Sequence, residues 1–111
     1  MEDKLDNIIL DSLTQQRAAL TQLRKELFIS KTDIEVLAYS ERVGLYNISQ
    51  LNQFYKHTNI QQLRRSVKRL ETNGQIQLVK PGVKNNPAYY IIAPKGTYLI
   101  TRYIQLIRKF S

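Results

Sequence analysis

The stretch TNIQQLRRSVKRLETNGQIQLV, residues 58–79, decides how the chain is read. Its first part places apolar residues at Ile60, Leu63, Val67 and Leu70, spacings of three, four and three that lay a single stripe along a helix. Thr58-Asn59-Ile60-Gln61 matches a capping box at the start, and Asn73-Gly74 supplies the left-handed residue of a C-terminal cap at the end. A helix over 58–73 is predicted. Past Gly74 the period becomes that of a strand: Gln75-Ile76-Gln77-Leu78-Val79 alternates polar and apolar. Residues 80–87, KPGVKNNP, are turn-rich and basic, and Ala88-Tyr89-Tyr90-Ile91-Ile92 reads as a returning strand. A hairpin with a charged tip therefore follows the helix.

Upstream, Ser30-Lys31-Thr32-Asp33 and Thr32-Asp33-Ile34-Glu35 both fit the capping box. A helix should begin near Thr32, bury Ile34, Leu37 and Ala38, and stop near Gly44. Leu45-Tyr46-Asn47-Ile48 is short and β-leaning, after which Ser49 is expected to cap a two-turn helix with Leu51, Phe54 and Tyr55 inward. Only Lys56 and His57 separate that helix from the next, the length of a helix-turn-helix connection. The expected fold is mainly α with a small β-hairpin (α+β), a winged helix-turn-helix over 30–93.

Two further helices flank this core. Between Leu5 and Leu27 there is no Gly or Pro, and Leu5, Ile9, Leu13, Leu20, Leu23 and Leu27 make an amphipathic stripe interrupted by Gln16, so 1–29 is predicted helical. Pro94 opens a last helix over 94–111 whose Leu99, Ile100, Tyr103, Ile104, Ile107 and Phe110 cover more than one face. Such excess apolar surface predicts a dimer built from Leu13, Leu20, Leu23 and Leu27 on the first helix and Tyr103, Ile104 and Ile107 on the last. The alternative is a first helix that packs only on its own core.

The 111 residues carry a net charge of +8, unevenly spread. Residues 1–55 hold six basic and eight acidic side chains, whereas 56–111 hold eleven basic and one acidic, Glu71. A basic half of this kind suits a polyanion, because each phosphate neutralised releases counterions; it would also serve as a merely solubilising surface. With no cysteine, disulfides, thiol redox switches and cysteine-bearing metal sites are excluded, and a cytoplasmic location is expected. The acidic start and the lack of a long apolar run predict neither a signal peptide nor a membrane span. His57, the one histidine, has no ligand-spaced acids beside it, and no nucleophile–base or phosphate-loop motif is present. No enzyme activity, metal or cofactor is expected. Seven tyrosines, with Tyr89 and Tyr90 adjacent, could stack on unpaired bases but fit strand packing better.

On a helical wheel the stripe of helix 58–73 faces the core, leaving Asn59, Gln61, Gln62, Arg65, Ser66 and Arg69 outward. Gln and Asn can pair with adenine and Arg with guanine, while Arg64, Lys68 and Arg69 on the flanks suit phosphates. Asn59, Gln61, Gln62 and Arg65, near the helix start, are expected deepest in the major groove of duplex DNA.

The order of parts resembles the MarR-type winged helix-turn-helix regulators, over roughly residues 32–100. Leu70-Glu71-Thr72-Asn73-Gly74-Gln75-Ile76 matches that family's Leu-x-x-x-Gly-hydrophobic-hydrophobic ending of the recognition helix, with Gln75 a departure. Ile92-Ala93-Pro94-Lys95-Gly96 loosely matches its Leu-Thr-x-x-Gly start of a C-terminal dimerisation helix. The family's Asp-x-Arg wing element is missing from Val83-Lys84-Asn85-Asn86-Pro87, so wing contacts by Lys80, Lys84 and Asn85 rest on charge and position alone. A single C-terminal helix stands where longer members have two. The resemblance implies a homodimer with its recognition helices about 34 Å apart, one turn of DNA. It further implies a prokaryotic, viral or mobile-element regulator of transcription, whose small-molecule effector no residue identifies. A DNA-binding accessory of replication, partition or a mobile element fits the same residues, as does a winged helix used to bind proteins.

Overall fold

A computed structural model describes the backbone of Glu2–Lys109 and the side chains of residues 14–109. It contains, in order, α1 (Glu2–Leu27), α2 (Lys31–Val43), α3 (Ile48–Phe54), α4 (Ile60–Thr72), β1 (Ile76–Lys80), β2 (Tyr89–Ile92) and α5 (Pro94–Lys109). The contacts divide the chain into two compact units, Met1–Ser30 with Thr101–Ser111, and Lys31–Ile100.

The Lys31–Ile100 unit is built as the stripe predicts. Leu63, Val67 and Leu70 of α4 are fully or almost fully buried, with Ile34, Val36 and Leu37 of α2, Leu51 of α3 and Ile76 of β1 also in the core. α4 closes on Asn73, after which Gly74 takes φ +73. The Gly74 and Gln75 amides donate to the Glu71 and Leu70 carbonyls at 3.0 and 2.8 Å, a Schellman closure that turns the chain directly into β1. β1 pairs antiparallel with β2, Ile76 opposite Ile92 and Leu78 opposite Tyr90, with an irregularity before Lys80–Tyr89. The β-leaning segment before α3 adds one more rung, Tyr46 exchanging both backbone hydrogen bonds with Tyr90 at 3.0 and 2.8 Å. At the wing tip Val83 and Asn86 bridge across Lys84 and Asn85, the latter at φ +70.

Gly96 explains the small residue at the start of α5. The Gln75 carbonyl oxygen, Ile92 and Leu37 crowd its Cα so closely that any Cβ would collide with them. The hairpin can approach the first turn of α5 only over a bare backbone.

Several local expectations are corrected. The N-cap of α3 is Asn47, not Ser49: Asn47 Oδ1 accepts from the Gln50 amide at 2.8 Å while Gln50 Oε1 accepts from the Asn47 amide at 3.0 Å. Phe54 is half outside, tilted against Tyr39 and edge-on to Tyr55, and Tyr55 reaches back to donate to the Glu35 carbonyl at 3.0 Å. Ala38 is exposed, and Val36 and Ser40 take the buried positions of α2. Along β1 only Ile76 is buried, because the two-stranded hairpin has no second layer over Leu78 and Val79.

In the other unit Ala19, Leu23, Ile29 and Leu106 are buried, and Arg102 of α5 lies 3.6 Å from Glu26 of α1. Leu23 is thus already covered within the single chain and offers no surface to a partner. Leu20, Tyr103 and Ile107 are half-buried, and Leu27 and Ile104 are exposed. Leu13, like Leu5, Ile9 and Phe110, lies outside the residues whose side chains are described.

Tyr46 is completely buried, yet its hydroxyl has no hydrogen-bond partner among the described residues; the neighbouring Ser40 hydroxyl spends its proton on the Val36 carbonyl at 2.7 Å. Burial pushes the phenol up to about 12. Because the folded state holds this proton more tightly than the unfolded chain, whose tyrosines titrate near 10, stability should be unaffected below about pH 10 and fall as pH rises towards 12. Tyr46→Phe removes an unpaired buried hydroxyl and should stabilise the chain by about 1 kcal/mol at neutral pH in urea unfolding. It should also flatten part of the alkaline decline.

Candidate nucleic-acid interface

α4 presents its outer face because its inner face is fully used. Gln61, Gln62, Arg64, Arg65 and Lys68 are exposed on it, and the wing adds Lys80, Lys84 and Asn85, all exposed. The helix carries four cations, Arg64, Arg65, Lys68 and Arg69, before its one acid, Glu71. Arg64 also borders a cleft of about 390 Å³ with Ile48, Ser49 and Asn52 of α3, Ile60, and Pro87 and Ala88 at the base of the wing. The amides and guanidinium groups of α4 and the cations of the wing therefore belong to one unit of the chain.

Three of the residues expected on the reading face are placed otherwise. Asn59 is the N-cap of α4: its side-chain oxygen accepts from the Gln61 amide at 2.7 Å. The helix thus begins at Ile60, and the connection from α3 runs from Tyr55 to Asn59 instead of through Lys56 and His57 alone. Ser66 is fully buried and donates to Asp33 Oδ1 at 2.5 Å. Arg69 is partly exposed but committed, its Nε donating to Asp33 Oδ2 at 3.2 Å and its Nη2 to Asp33 Oδ1. Asp33 itself is completely buried in the first turn of α2.

Sequence reasoning missed Asp33 because it fitted a capping box. The sign was nonetheless there: position 66 lies three residues after Leu63 and four before Leu70, so a stripe at 63, 67 and 70 carries it to the inner side, where a serine needs a polar partner. Lys56 and His57, in the turn before α4, are also exposed and extend the basic surface.

No protein-family model matches the sequence, and no curated protein does. Among solved structures, that of transcriptional regulator Tm0710 from Thermotoga maritima superposes with a TM-score of 0.76 at 18% identity, over 98% of this chain and 73% of that one. A cysteine-to-serine mutant of MarR from E. coli gives 0.74 at 15% identity, over 94% and 75% of the two chains. The chain has the MarR fold. The same MarR mutant complexed with operator DNA matches at 0.69 and 15% identity, over 96% and 76%. At these identities the likeness is structural, and it bears out the winged helix-turn-helix expected from the order of elements. Among the described residues no helix of this MarR-fold chain is long and apolar enough to cross a membrane, and no three His, Cys, Asp or Glu side chains are grouped to hold a metal.

The Asn59 cap makes a specific claim on stability. Asn59→Ala should cost about 1 kcal/mol in chemical unfolding, as loss of an N-cap does, whereas Thr58→Ala should cost much less. The reverse order would restore the cap to Thr58.

Proposed function

We propose that the chain is a DNA-binding regulator of transcription that reads duplex DNA as a homodimer, with α4 in the major groove and the wing along the backbone. The observation that carries this reading is the outer face of α4, where Gln61, Gln62 and Arg65 stand exposed beside the cations Arg64 and Lys68 while Leu63, Val67 and Leu70 on the opposite face are buried. Glutamine and arginine are side chains that pair in two places with adenine and guanine, and the flanking cations suit phosphates. Lys80, Lys84 and Asn85 on the wing, with Lys56 in the turn before α4, extend the same positive surface. The solved MarR structure with operator DNA supports the reading by likeness of fold. Nothing in the site favours catalysis.

Gln61, Gln62 and Arg65 would select bases, and Arg64, Lys68, Lys80 and Lys84 would hold phosphates. Arg65→Ala and Gln62→Ala should each reduce the preference for a selected duplex over a random one by roughly 5- to 100-fold, the worth of one good base contact. Lys84→Ala should weaken both duplexes alike and lower the log–log salt slope by about 0.9. Equal losses on both duplexes for Arg65→Ala would mean that the wrong face has been assigned, and no binding to any duplex at low salt would sink the proposal.

The homodimer rests on Leu27 at 39% exposure, Phe28 at 85% and Ile104 at 44%, all in the unit formed by the chain ends, together with half-buried Leu20, Tyr103 and Ile107. Apolar groups this open to water point to a partner surface. Sedimentation at micromolar concentration should give about twice the 13.0 kDa chain mass. A 13.0 kDa species would remove the dimer.

A further inference from the structure

The Asp33 carboxylate, in the first turn of α2, is the one fully buried acid among the described residues. Ser66 Oγ and two nitrogens of Arg69, one turn apart on α4, converge on its two oxygens. The rest of the inner face of α4 is Leu63, Val67 and Leu70, whose burial is driven by a force without preferred direction. Charge-assisted hydrogen bonds to a buried carboxylate are directional and set the rotation of the helix. A turn of about 20° about the axis would carry a side-chain tip at the helix's 5–6 Å radius through about 2 Å, enough to break a hydrogen bond at either face.

We propose that Asp33 is a specificity-determining positioning residue, which through Ser66 and Arg69 fixes the rotation of α4 and so brings Gln62 and Arg65 into register with base edges. Arg69 is then chiefly the clamp's second jaw and only secondarily a phosphate contact. The inference rests on the DNA-binding reading of α4, but its test separates the two. The competing view is that Arg69 meets a phosphate and that Asp33 merely neutralises it.

The full-length chain is used to select a duplex from a random pool. Binding of that duplex, and of a scrambled one of equal length, is then measured by fluorescence anisotropy for the wild type, Asp33→Asn, Ser66→Ala and Ser66→Thr. Asp33→Asn keeps the side-chain volume and removes one negative charge, so affinity for the scrambled duplex should hold or rise while discrimination falls about ten-fold, the scale of one base contact. Ser66→Ala should lose part of the discrimination, and Ser66→Thr, which keeps the hydroxyl, should retain it. A merely structural role would lower the folded fraction and reduce both affinities in proportion, leaving their ratio unchanged. An unchanged ratio in Asp33→Asn overturns the proposal, as does an equal rise in both affinities. If Asp33→Asn fails to fold by circular dichroism, the ratio for Ser66→Ala decides in the same way. A wild-type chain that binds neither duplex overturns this inference and the functional reading together, whereas a discriminating wild type with an equally discriminating Asp33→Asn overturns this inference alone.

Discussion

A carboxylate removed from water must be met by hydrogen bonds from its neighbours, and at Asp33 that requirement ties α2 to α4 within the Lys31–Ile100 unit. The burial of Leu63, Val67 and Leu70 in the Lys31–Ile100 unit rests on apolar contact, a driving force without preferred direction. Asp33 narrows that freedom, because Ser66 and Arg69 both donate directional hydrogen bonds to it from α4. The exposed row of Gln61, Gln62 and Arg65 is the other side of that helix. Removing one member of such a buried cluster costs more than the cluster contributes when whole, since an ion or hydroxyl is left without a partner.

The hairpin is held to α4 by similarly local constraints. The left-handed Gly74 lets the chain leave α4 and enter β1 with only three residues, Asn73, Gly74 and Gln75, between them, and the bare Cα of Gly96 lets α5 start against the Gln75 carbonyl. Tyr46 adds its rung from the far side of α3, so that the sheet joins segments on both sides of α4. The wing is therefore positioned by the same backbone that ends α4, which is how its lysines come to lie in one unit with the helix's cations.

Much of this was legible in the sequence. The three-four-three stripe, the Asn-Gly stop and the change of period after it were enough for the order of elements, because each depends only on residues near in sequence. The start of α3 was legible too, but misread: Ser49 has Asn52 three residues on, whereas Asn47 has Gln50, and only the second pair completes a reciprocal cap. At α4 both Thr58 and Asn59 have a glutamine three residues on, so sequence could not choose between them. The Asp33 cluster was hidden for a different reason. Its members are 33 and 36 residues apart, and each has a satisfactory local reading, as a cap or as a surface polar residue, until tertiary packing brings them together. The same holds for Leu23, whose place in an amphipathic stripe says that it is covered but not by what.

On the proposed reading, the outer face of α4 is a duplex-reading surface. Amide chemical-shift mapping of the isotope-labelled chain during titration with a selected duplex tests it most directly. The largest shifts should fall on the amides of residues 61–68 of α4 and of Lys80, Lys84 and Asn85 of the wing. Shifts confined to α1 and α5, or to the exposed edge around Phe54, with α4 silent, would contradict it.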